Sequence, residues 1–153
     1  MRPPHALAHA ALGLALALSL VACGADAGDP ASGLPVVSDA WVRPPIGDDR
    51  PAAGYLTIEN PGVDADTLIG ASSPIAGSVE IHESMLDGAG MMAMAPVDQL
   101  EIEPGDTVTF EPGGYHLMLL DVSGMPAVGE SVELTLSFEL AGDIVVQAEV
   151  RAD

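Results

Sequence analysis

The chain has one cysteine and no lysine. The cysteine, Cys23, precedes the region patterned as a folded domain, so that domain carries no thiol. This excludes a disulfide, a CxxC metal or redox pair, a thiol nucleophile and a cysteine-ligated blue-copper centre. Cations are scarce as well. Arginine occurs only at positions 2, 43, 50 and 151, against 23 acidic residues and a formal net charge of −19. So acidic a surface repels nucleic acid and anionic headgroups, and no nucleic-acid partner is expected. It reads as a general acidic surface that maintains solubility, the alternative being a docking surface for a basic partner or a field that concentrates cations; hard carboxylates do not select a soft metal ion. No Ser/His/Asp order and no phosphate-binding loop is present, and Asp48-Asp49 falls in a turn, so an enzyme is not expected. Aromatic residues are few, and the single tryptophan, Trp41, is expected in the core or at its edge.

What is present begins with a short leader. Arg2 supplies a positive start, and 10–22 is an apolar run of signal length, too short for a comfortable membrane span. Leu20-Val21-Ala22-Cys23 resembles the lipobox of bacterial lipoproteins, in which the cysteine is acylated and becomes the new N-terminus. The resemblance implies a signal peptide over 1–22 and a lipid anchor on Cys23. Two or three acyl chains hold a protein at a membrane without a spanning helix. Residues 23–34, rich in Ala, Gly, Asp, Pro and Ser, read as a flexible tether. Residues 35–153 then form one domain, expected as a monomer outside the cytoplasm, in the periplasm or at the cell surface.

That domain has an all-β pattern. Short alternating or apolar runs, bounded by Gly, Pro, Asn or Asp, fall at 36–42, 53–59, 67–72, 79–85, 91–96, 99–102, 107–110, 115–122, 132–140 and 144–151. Asn60-Pro61-Gly62 and Ala141-Gly142-Asp143 read as turns, the second as a tight hairpin. Outside the leader no segment sustains a helical period. About nine short strands with such turns predict a Greek-key β-sandwich or barrel.

The chemistry concentrates in one region. Of four histidines, His5 and His9 lie in the leader, which leaves His82 and His116. Near them are Met85, Met91, Met92, Met94 and Met118. His116 and Met118 are two apart in a strand, so they project from one face. Imidazole and thioether without thiolate suit Cu(I). Thioethers carry no proton near neutrality, so only the imidazoles make such binding acid-sensitive. Met85, Met91 and Met92 are expected as core filler or pocket lining, Met125 as loop packing, and Tyr115 as cross-strand packing.

The spacing carries a second resemblance. Met94 and His116 are separated by 21 residues, and His116-Leu117-Met118 follows. This is similar to the PCuAC family of periplasmic copper chaperones, with its His, ten residues, Met, 21 residues, His-x-Met signature. Ala52-Ala53-Gly54-Tyr55-Leu56-Thr57-Ile58-Glu59-Asn60 and Phe110-Glu111-Pro112-Gly113-Gly114-Tyr115-His116 resemble that family's early strand and its approach to the second histidine. The chain departs once, with eleven residues between His82 and Met94; the extra one is assigned to the turn Asp87-Gly88-Ala89-Gly90, where insertion is cheap. Met92, on the same face as Met94, is the substitute candidate.

The resemblance implies a cupredoxin-like fold, His82, Met94, His116 and Met118 as Cu(I) ligands, and delivery of copper to a cuproenzyme. The recipient it implies is the CuA centre of cytochrome c oxidase subunit II. The alternative is a lipoprotein that sequesters copper for tolerance, with no dedicated recipient.

Overall fold

A computed structural model describes residues 33–47 and 50–152. The leader, Cys23, His5, His9 and the Asp48-Asp49 pair lie outside the described residues, as does the tether before residue 33. Ten strands follow in order: β1 (Val36–Arg43), β2 (Ala52–Glu59), β3 (Asp66–Ser72), β4 (Ser78–Leu86), β5 (Met92–Pro96), β6 (Leu100–Ile102), β7 (Thr107–Phe110), β8 (Tyr115–Leu120), β9 (Ser131–Phe138) and β10 (Gly142–Val150). The fold is all-β and cupredoxin-like, as expected, and its ten strands correspond to the ten runs read from the pattern.

The strands pair in the order β5-β4-β8-β7-β2-β1-β10-β9-β3-β6, and β3 also meets β4. That contact, through Ala71 opposite Val79, closes the sheet into a barrel. β5 and β6 hang on its rim. β1 beside β10 and β7 beside β8 run parallel, whereas the remaining pairs are antiparallel. Closure removes most free sheet edges.

Alternation decides which side chains fill the barrel. In β9, Val132, Leu134, Leu136 and Phe138 are buried, and the residues between them point outward. Val42, Leu56, Ile58, Leu117 and Leu119 join them inside. Truncating one such leucine to alanine costs about 2–5 kcal/mol. Gly54 in β2 lies opposite Leu117 in β8, and a β-carbon built on it would come 3.2 Å from the Leu117 β-carbon. The missing side chain lets β2 approach β8, the strand that carries His116.

Two features modify the simple pattern. In β1 the register shifts between Ser38 and Trp41, with Asp39 at φ 52°, which is a β-bulge. The extra residue turns Trp41 out of the barrel and Val42 into it. Trp41 is therefore half-buried on the outer wall, against Tyr55 with ring centroids 4.4 Å apart. At the far end, the β9–β10 connection is Glu139-Leu140-Ala141, and Gly142 (φ 75°) already pairs with Phe138. The hairpin is thus one loop residue longer than a tight two-residue turn and sits slightly earlier than expected. Asp66 explains the shift: its carboxylate accepts the amides of Thr67, Leu140 and Ala141 at 2.8, 2.9 and 3.0 Å, and so holds the loop open.

The turn at Asn60-Pro61-Gly62 forms as read. The buried Asn60 amide donates to the carbonyls of Asp64 and Ile102, both at 2.9 Å, and its oxygen accepts the Gly62 amide at 3.0 Å.

Candidate metal centre

The site is built on three adjacent strands, β5, β4 and β8. The β4–β8 register sets His82 directly opposite His116 and Glu80 opposite Met118. The β4–β5 register sets Ser84 opposite Met94, Leu86 opposite Met92 and His82 opposite Pro96. Directly opposed residues share a face. Hence His82, Met94, His116 and Met118 all project from the outer wall of the barrel, with Glu80 and Ser84 among them. On the inner face of the same strands are Ile81, Leu117 and Leu119, all buried. Core packing on one side of β8 therefore fixes the imidazole on the other.

The two rings are neighbours, with centroids 5.8 Å apart and planes inclined at 58°. Each has one nitrogen committed. His116 is 7% exposed, and its Nδ1 lies 3.2 Å from the Gly114 carbonyl. A carbonyl only accepts, so Nδ1 carries the proton and Nε2 keeps a lone pair. His82 is arranged the opposite way. Its Nε2 lies 2.8 Å from a Glu80 carboxylate oxygen and donates to it. Its Nδ1 is buried and has no hydrogen-bond partner. Burying an unsatisfied acceptor is unfavourable, and native structures seldom do it without a purpose. Orienting a ring by a carboxylate or carbonyl on its second nitrogen is the usual arrangement around metal-binding imidazoles.

A cleft of about 340 Å³ opens beside them. Met94, Met118 and His116 line it, with Ser84, Tyr55, Arg43 and Arg50. His82 does not line the cleft. The structure thus brings three of the four expected residues to one cavity and sets the fourth against it through the His82–His116 contact. Met92 is another matter: opposite Leu86, two residues further out on the hairpin, it lies off the cleft.

Of the two expectations for the other methionines, one needs correction and one agrees. Met85, Met91 and Met92 are not core filler, nor do they line the cleft; all three are exposed. They lie on the β4–β5 hairpin, which extends past the barrel wall, and β5 has no further strand beside it. Met125 packs against the core, as read, and Tyr115 packs on Phe110 with ring centroids 5.9 Å apart. The turn joining β4 to β5 is ordered by Asp87, whose carboxylate accepts the amides of Ala89 and Met91. The extra residue relative to the expected spacing is accommodated there, outside the barrel.

Sequence reasoning missed Glu80, Arg43 and Arg50. Glu80 had a signal: two residues before His82 in a strand, it must share the imidazole's face. The arginines had none, because the chain folds them to the cleft from the end of β1 and from the following loop.

Among the described residues, no three His, Cys, Asp or Glu side chains gather where they could hold an ion. What the wall offers is two imidazoles and two thioethers. Such donors suit a soft monovalent ion and discriminate against Mg²⁺, Ca²⁺ and Mn²⁺, which prefer oxygen.

Comparison with known proteins follows the same line. The family model described as "Putative lipoprotein LpqE-like" matches residues 36–150, the whole barrel. The chain belongs to the LpqE-like family. A similar relative, "Putative lipoprotein Lxx21020" of Leifsonia xyli, is 30% identical over 122 residues, covering 80% of this chain and 72% of the relative. Among solved structures, the copper-bound PCuAC domain from PmoF2 is 33% identical, with a TM-score of 0.67, over 78% of this chain and 93% of that one. The Cu(I) form of DR1885 from Deinococcus radiodurans is 30% identical, with a TM-score of 0.62, over 77% of this chain and 78% of that one. This LpqE-like chain is thus a PCuAC-type domain, and the resemblance read from its motif is correct. Its kinship is with copper-binding domains and not with an enzyme. No helix among the described residues is long and apolar enough to cross a membrane.

Proposed function

We propose that this LpqE-like domain is an extracytoplasmic copper carrier that holds Cu(I) between His82, Met94, His116 and Met118. The observation that carries the proposal is the pair of facing imidazoles, each with one nitrogen anchored and the other left with a lone pair, beside two thioethers on the same wall. Copper in the PCuAC relatives of PmoF2 and Deinococcus radiodurans supports the choice of metal.

The ligand set fits a carrier. Neutral imidazoles and thioethers leave a bound Cu(I) with a single positive charge. Thioethers are weaker ligands than thiolates, so an acceptor with cysteines draws the ion away. Met94 is 61% exposed, which lets an incoming ligand displace it first. Transfer then runs by exchange of one ligand at a time, with donor and acceptor both bound to copper in the intermediate. The CuA centre of cytochrome c oxidase subunit II has the thiolates such an exchange needs, and it is the recipient we propose. An acyl chain on Cys23 holds the carrier at the membrane, in keeping with the lipoprotein names of its family and relative.

The test is a Cu(I) titration of the purified domain against a competing chromophoric chelator. Wild type binds one ion, and the double variant His116→Ala with Met118→Ala loses it. Undiminished binding by the double variant defeats the assignment. Deleting the gene separates delivery from sequestration. Loss of oxidase activity that added copper restores supports delivery; copper sensitivity with normal oxidase supports a store.

A further inference from the structure

We infer that Met92 is a capture ligand for Cu(I): with Met94 it takes the ion first, and the pair passes it along the wall to His116, His82 and Met118. The inference rests on the copper reading above and adds a route to it. The first argument is placement. Four of the chain's seven methionines fall between positions 85 and 94, all four are exposed, and they share one hairpin at the edge of the sheet. Apolar residues scattered singly over a surface need no explanation, but these four are clustered, and one of them is a proposed ligand.

The register puts them in order. From the turn toward the barrel, one face of the β4–β5 hairpin carries Met92 opposite Leu86, then Met94 opposite Ser84, then His82, which stands opposite His116 on β8. Met92 and Met94 are two apart on a strand, about 7 Å between Cα atoms. A methionine side chain turns about three bonds, so two of them side by side can meet at one ion. Met94 belongs to this pair and to the four-ligand site, so an ion held by the pair is already attached to the site it enters. Met85, opposite Ala93, projects from the other face and takes no part.

The second argument is electrostatic. The field of a −19 chain draws any cation to the surface. Between positions 84 and 97 the only charged residue is Asp87, and its carboxylate is occupied by the amides of Ala89 and Met91 at 2.9 and 2.8 Å. The side-chain donors left on the hairpin face are thioethers, which select a soft monovalent ion from among the cations the field attracts. The handover is ligand exchange. The Met92 sulfur bonds copper as the incoming donor's last ligand leaves. The free nitrogens of His116 and His82 and the Met118 sulfur then replace Met92. Both nitrogens already have lone pairs, so no proton is released, and copper stays monovalent throughout.

A ligand used on the path but absent from the final site has a kinetic signature: removing it slows loading and release by the same factor and leaves their ratio, the affinity, nearly unchanged. Stopped-flow mixing of metal-free protein with a coloured Cu(I)–chelator complex reads loading, and mixing the loaded protein with excess chelator reads release. Met92→Leu keeps the apolar bulk, removes the sulfur and changes an exposed side chain, so the fold is kept. It slows both rates about tenfold, while the affinity moves less than about threefold. Met85→Leu, on the other face, leaves both rates as they are. A second measurement isolates the pair. In the His116→Ala, Met118→Ala variant, titration with Ag(I), a redox-inert stand-in for Cu(I), shifts the methyl NMR signals of Met92 and Met94 and leaves that of Met85 in place. The inference is overturned if Met92→Leu loads and releases as wild type does, if Met85→Leu is slowed equally, if Met92→Leu weakens equilibrium binding as much as Met94→Ala, or if Ag(I) leaves the Met92 signal unmoved. A wild type that binds no Cu(I) at equilibrium overturns the copper reading itself, and this route with it.

Discussion

Glu80 is the residue whose removal tests the geometry most sharply. It touches no proposed ligand atom of copper, only the far nitrogen of His82, at 2.8 Å. It is half exposed, with a side chain at 49%. Two effects must be separated. As a charge, Glu80 acts across the ring at about 7 Å; in water-like surroundings a unit charge there is worth about 0.6 kcal/mol, about threefold in affinity. As an anchor, it keeps the proton on Nε2 and the lone pair on the buried Nδ1. Losing an anchor of this kind weakens metal binding about 10–100-fold, or about 1.4–2.7 kcal/mol. Glu80→Gln keeps an accepting oxygen and loses only the charge, so Cu(I) affinity falls about threefold. Glu80→Ala loses both, and affinity falls about 10–100-fold. Competition with a chromophoric Cu(I) chelator measures each. Ring-nitrogen NMR on the metal-free protein gives an independent reading: His82 is the Nε2–H tautomer and His116 the Nδ1–H tautomer, and Glu80→Ala mixes the two forms at His82 alone. Equal affinity of both Glu80 variants, or an Nδ1–H tautomer at His82 in the wild type, refutes the reasoning.

Other outcomes follow from the same structure. Met94→Ala weakens Cu(I) binding by at least tenfold in the chelator assay, whereas Met92→Ala, off the cleft, changes it less than threefold. Acid weakens binding in the same assay, because protons compete with the metal for the imidazoles and for neither thioether. Asn60→Ala removes three hydrogen bonds from a buried turn and destabilises the domain by about 2–4 kcal/mol in urea unfolding, with copper stoichiometry unchanged in the folded protein.

Much of this was legible in the chain because β-structure writes itself in alternation. Val132 to Phe138 shows its buried face letter by letter, and Asn60-Pro61-Gly62 shows its turn through residues that suit it chemically. His116 and Met118 share a face by the period of two alone. Pairing across strands was not legible. That His82 stands opposite His116 depends on the β4–β8 register, which core residues such as Ile81 and Leu117 set, and no local signal records it. The bulge at Asp39 was hidden for a similar reason: one inserted residue reverses the faces of Trp41 and Val42 without changing the composition. The exposed methionines of the β4–β5 hairpin were misread as core because apolar character was taken for burial, whereas β5 is an edge strand with solvent beyond it. Arg43 and Arg50 both line the cleft, a proximity that sequence spacing does not encode.

The central claim is that two imidazoles and two thioethers share one ion. X-ray absorption at the copper edge of the loaded domain tests it most directly. The account predicts reduced copper with sulfur and nitrogen neighbours in equal number, and loss of the sulfur contribution when Met94 and Met118 are both changed to alanine. A first shell of nitrogen and oxygen alone, or a sulfur signal that survives the double change, contradicts it.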